Sequence, residues 1–108
     1  MNDLSIPEAA LRDNNAVEML RVWIAENQLQ CSIKVGMYQE SSNIPEGRAW
    51  GTILADVTRH VAMALESRYS ADRNKVIQEI RDRYLRELGS PTSEVTGEFV
   101  GKGSGLKH

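Results

Sequence analysis

A chain of 108 residues, 41% apolar and 26% charged, has the balance of one ordinary globular domain and leaves no length for a second. A net charge of −2 is too small to favour nucleic acid or an anionic membrane surface as a partner. The single cysteine, Cys31, excludes an internal disulfide framework, fits a reducing cytoplasm and reads as a small core residue.

Residues 1–16 read as a mobile N-terminal arm. They hold Pro7 and Asn14-Asn15, and their apolar content is confined to Leu4, Ile6, Ala9, Ala10 and Leu11. Asp3, Glu8 and Asp13 and the want of an apolar centre argue against a secretory signal, and no stretch of the chain is apolar enough to span a membrane.

The single globular domain is expected over residues 17–89. From Leu29 to Met37 apolar and polar positions alternate, with Leu29, Cys31, Ile33, Val35 and Met37 on one side, the pattern of a strand with one buried face. Val17 to Ala25 differs: Val17, Met19, Trp23 and Ala25 line one side, and Leu20, Val22 and Ile24 the other, so both sides read as buried. The polar Glu26-Asn27-Gln28 between them predicts an antiparallel hairpin, since Asn tolerates a positive φ.

Gln39 to Gly47, with Pro45, reads as a polar loop. A helix is expected from about Arg48 to Tyr69, where Trp50, Ile53, Leu54, Val57, Val61, Ala64 and Leu65 form one stripe at helical spacing. Gly51, Ala55, Thr58 and Ala62 make a second face of small residues, suited to close approach of another helix. A second helix follows from about Asp72 to Leu88, with Asp72 as capping group and Gly89 and Pro91 as stop. Its stripe is Val76, Ile77, Ile80, Tyr84 and Leu88, and Lys75/Glu79, Glu79/Arg83, Asp82/Arg86 and Arg83/Glu87 lace the other side. Residues 90–108 read as a flexible C-terminal tail, disordered beyond Gly101, in which only Val95, Phe99, Val100 and Leu106 could anchor anything.

Glu18-Met19-Leu20-Arg21-Val22-Trp23-Ile24-Ala25 and the helix run from Ala49 to Ala62 resemble a family of small bacterial proteins of about this length, catalogued only as a domain of unknown function. The resemblance covers roughly residues 17–65 and implies no catalytic residues.

Three constellations could carry chemistry. Asp56 and His60 stand at i and i+4, where a carboxylate could orient an imidazole as a base, but no nucleophile accompanies them. Arg81-Asp82-Arg83-Tyr84-Leu85-Arg86 joins three arginines to a tyrosine, yet Glu79, Asp82 and Glu87 cancel the charge that nucleic acid would need. Arg21 and Trp23 on the first strand, with Arg59 on the helix, could frame an anion pocket; arginines lying over apolar surface account for them better. No metal set is expected, because Cys31 stands alone and the second histidine is the terminal His108.

The sequence therefore predicts an α+β fold in the order β-β-α-α, an antiparallel hairpin covered by two helices, without cofactor, metal or catalytic residues. An isolated hairpin is marginal in water, and leaving Leu20, Val22 and Ile24 exposed would forfeit about 1.5–3 kcal/mol apiece. The expected role is a cytoplasmic structural or protein-interaction module with itself as partner, a homodimer. The alternative is an anion-binding domain or minor enzyme using Asp56, Arg59 and His60.

Overall fold

A computed structural model describes residues 1–101 and, for the backbone alone, residues 104–107. The chain opens with a single turn of helix, α1 (Glu8–Arg12), whose residues are all exposed or nearly so. The hairpin follows as β1 (Leu20–Ala25) and β2 (Gln28–Lys34), antiparallel, with Ile24 opposite Leu29, Val22 opposite Cys31 and Leu20 opposite Ile33. Its turn is tighter than the three residues expected. Glu26 and Asn27 alone make it, at φ +54° and +62°, and two successive left-handed residues give the turn whose twist matches that of the flanking strands.

The strand expected to run to Met37 stops at Lys34, and a short helix, α2 (Met37–Ser41), introduced by Gly36 at φ +94°, replaces its end and the start of the expected loop. Two long helices come next, α3 (Glu46–Tyr69) and α4 (Arg73–Gly89). Ser70 at φ +57° ends α3, and the Asp72 carboxylate starts α4 by accepting the N–H groups of Asn74 at 3.0 Å and Lys75 at 3.2 Å. The two run back along each other. Ala62 of α3 and Val76 of α4 are buried there, so the distal end of the small-residue face is used within the chain.

The tail read from residue 90 onward is corrected by the sheet. Val95–Gly101 forms β3, parallel to β2, with Val95 beside Leu29, Gly97 beside Cys31 and Phe99 beside Ile33. A short β4 (Ser104–Lys107) pairs antiparallel with β3, giving the order β1-β2-β3-β4. Parallel neighbours cannot be joined by a tight turn, and the three helices between β2 and β3 supply the crossover. Disorder expected at residues 102, 103 and 108 lies outside the described residues. The element order is α-β-β-α-α-α-β-β rather than β-β-α-α, and the class is α+β as expected. Among the described residues, no helix is long and apolar enough to cross a membrane.

The core of this chain is thin. Ala49, Ala62 and Val76 are the buried apolar residues among those described, and no large side chain is fully enclosed. Among the described residues, extended close approaches join strand to strand, α3 to α4 and α2 to α3. The expected covering of the hairpin by two helices is incomplete, as is the expected burial of both sides of β1, because Val22, Ile24 and Leu29 all stay exposed. A folded chain of 12.1 kDa should expose about 6,000 Å², whereas this one exposes 9145 Å². Its radius of gyration, 15.7 Å, likewise exceeds the roughly 13 Å of a compact chain this long.

Candidate interaction surface

Residues directly opposite each other in neighbouring strands share a face of the sheet. The register thus lays three rows across β1, β2 and β3: Leu20, Ile33 and Phe99; Val22, Cys31 and Gly97; Ile24, Leu29 and Val95. Every side chain in them is apolar. The other face is mixed: it carries Arg21, Gln28, Gln30, Ser32, Lys34, Thr96 and Glu98, together with Trp23, Ala25 and Val100, so one face is wholly apolar and the other mainly polar.

Cover over the apolar face is graded along the strands. The row nearest α2 is partly covered, since Leu20, Ile33 and Phe99 are all half-buried. At the turn end the cover is gone: Ile24 is 83% exposed, Val95 57% and Leu29 40%. A contiguous apolar row is thus left to water across three strands.

The residues singled out for chemistry do not gather around it. Arg59 donates to the Asp56 carboxylate one turn back on α3, both largely exposed, and His60 beside them is exposed too. A surface pair of this kind contributes at most a few tenths of a kcal/mol. Arg21 is held by Glu18 through two short contacts, Nε to Oε1 at 2.8 Å and Nη2 to Oε2 at 2.9 Å, which keep its guanidinium pKa above the ordinary value. Each arginine of the supposed anion pocket is thus engaged by a neighbour in sequence. A hollow of about 640 Å³ lies between residues 2–7 of the arm and the edge of β1, where Arg21 and Trp23 contribute to its wall. Another of about 520 Å³ sits on the polar face, over Trp23, Gln30, Ser32 and Glu98. Neither is lined by Asp56, Arg59 or His60. In the arginine run of α4, Arg83 pairs with Glu87 at 3.9 Å and Arg81 with Asp82 at 3.7 Å. Glu87 also accepts the backbone N–H (3.1 Å) and hydroxyl (2.9 Å) of Thr92, which hold its carboxyl below the usual range.

One position that the sequence did not single out organises the approach to the sheet. Glu46, the first residue of α3, accepts N–H bonds from Gly36 at 3.1 Å, Tyr38 at 3.0 Å and Gln39 at 3.0 Å, and one from the Trp50 indole at 3.0 Å. Partial burial pushes its carboxyl upward, but the donors together outweigh that and hold it below the ordinary glutamate value. The carboxylate caps α2 and fastens it to α3, fixing where the long helix leaves the sheet. A glutamate just after Pro45 and four residues before Trp50 was the available signal. Val95, Gly97 and Phe99 were missed as strand residues, although their alternation could have shown it.

An α+β chain with an open apolar sheet face is the class that fold and surface define. The chain belongs to the family described as domain of unknown function (DUF5076), which it matches over residues 3–92. Among solved structures it is similar to a protein from the photosynthetic bacterium Rhodopseudomonas palustrus CGA009, provisionally named a pyruvate dehydrogenase. The two share 20% identity and superpose with a TM-score of 0.64, over 89% of this chain and 92% of the other. At that identity the likeness shows the fold alone. No curated protein matches the chain.

Proposed function

We propose that this protein is a homodimeric interaction module, with the apolar sheet face as the surface through which two copies join. The observation that carries the proposal is the open row Ile24, Leu29 and Val95 on a chain that exposes about 3,000 Å² more than its mass requires. The extended arm accounts for part of that excess. Burying a large aliphatic side chain contributes about 1.5–3 kcal/mol, against a total stability of about 5–15 kcal/mol for a whole domain. A lone protomer would forgo much of its stabilisation at this one row.

A second copy is the economical occupant because a two-fold operation satisfies the same patch on both chains at once. Net charge of −2 is too small to oppose the pairing, and a free Cys31 on the joining face suits the reducing cytoplasm. The name given to the Rhodopseudomonas protein describes that protein; nothing in the open row speaks for or against its activity.

The test is the molar mass of wild type and Ile24→Glu, by light scattering during gel filtration. Wild type should run with twice the chain mass, and Ile24→Glu should be monomeric or unfolded, because its carboxylate would be buried without a partner. A monomeric wild type, or an Ile24→Glu dimer as stable as the parent, would refute the proposal.

A further inference from the structure

The apolar stripe of α3 is unfinished in the same way as the sheet, with a gap in its cover at mid-helix before Leu65 is half-buried again. Trp50, Ile53 and Leu54, close to the point where Glu46 fastens the helix, are half-buried. One turn further on, Val57 is 46% exposed and Val61 43%. Helix α3 has 24 residues and so runs about 36 Å, whereas the sheet is some 14 Å across between its outer axes at about 4.8 Å per strand, and its longest strands, of seven residues, run about 23 Å, so the helix outreaches the sheet in either direction. The helix therefore extends well past its own sheet. Each chain holds a row of sheet without its helix and a length of helix stripe without its sheet.

From this complementarity we infer that the dimer is an exchange: the Val57 and Val61 stretch of each α3 lies across the Ile24, Leu29 and Val95 row of the other copy. The inference rests on the homodimer proposed above and specifies its geometry. Helices laid on a sheet are the ordinary way to close an α+β layer, and here the closure runs between chains. One two-fold axis covers both open surfaces, each twice. Stacking sheet on sheet would cover the rows and leave the valines of α3 in water, so a further interface would still be needed.

Cross-linking by cysteine decides it, because Cys31 is the one native thiol. In a Cys31→Ala background, Leu29→Cys and Val57→Cys are made singly and together, and Ile24→Cys with Val61→Cys serves as a second pair should the first perturb folding. Each protein is oxidised, tested for two-chain species without reductant, and sized by sedimentation when reduced. The exchange predicts that the double variants become mostly two-chain while every single variant stays one-chain. Self-linking of Leu29→Cys alone would place sheet on sheet and overturn the exchange. Closure of the double variant within one chain would mean that each helix covers its own sheet, and also overturns it. Reduced proteins that are dimeric yet link in neither pair overturn the exchange while sparing the dimer; reduced proteins and parent that are both monomeric overturn the two together.

Discussion

Gly97 of β3 sits so close to Cys31 of β2 that a Cβ on residue 97 would collide with the Cys31 carbonyl group. Its φ of +141° is also one that side-chain-bearing residues rarely adopt. The pairing of the C-terminal strand with the hairpin depends on this glycine. Gly97→Ala should therefore lower stability by about 1–3 kcal/mol, read as a shift in the denaturant midpoint. An unchanged midpoint would mean that β3 does not pair with β2 in this register.

Gly51 supplies the contrast. It lies in α3, exposed, and apart from its chain neighbours and the adjoining helix backbone no described atom lies within 4 Å of the place a Cβ would occupy. Gly51→Ala should raise the stability of the protein by up to about 1 kcal/mol, the usual helix-interior difference between the two residues. A loss instead would show that a second copy packs against this part of the small-residue face.

Glu46 predicts an acid dependence. Its carboxyl is held below the ordinary value by the N–H donors around it, so its ionised form is favoured in the folded chain. Such a group adds stability that is fully present above its unfolded pKa and disappears as the pH falls through the lower folded value. Glu46→Gln should be less stable than wild type at neutral pH, and the gap should narrow through the acidic range below the ordinary glutamate pKa. Thermal midpoints of the two proteins along a pH series give the comparison. A gap that stays constant to strongly acid pH would mean that the charge of Glu46 contributes nothing to it.

His60 and Asp56 are exposed on α3, with Asp56 already paired to Arg59. His60→Gln should leave the stability within about 0.5 kcal/mol of wild type in a thermal melt, as surface substitutions usually do. A larger loss would give His60 a contact that the single chain does not provide, such as one across a dimer interface.

The hairpin was legible because alternation from Leu29 suits a half-buried strand, although it was read through to Met37 whereas β2 ends at Lys34 and Met37 starts α2; the long helices were legible because their stripes and the Asp72 cap agree. The sheet's third strand was not. Val95, Gly97 and Phe99 alternate over too few positions, amid glycines and serines whose composition reads as tail, and only a long-range parallel pairing with β2 gives them a structure. Glu46 escaped notice for a related reason, since three of its four donors are backbone N–H groups of residues 36–39, whose conformation no periodicity announces. The two-sided look of β1 came from treating Trp23 and Ala25 as core. In the structure they lie on the mixed polar face, and the apolar face of Leu20, Val22 and Ile24 is the one that wants a cover.

Sedimentation equilibrium of the full chain at micromolar concentration, in reducing buffer at neutral pH, tests the homodimer most directly. The expected result is a single species with twice the 12.1 kDa of one chain. A single species at 12.1 kDa that unfolds cooperatively would contradict it, because a lone protomer with the Ile24, Leu29 and Val95 row in water would then be stable by itself.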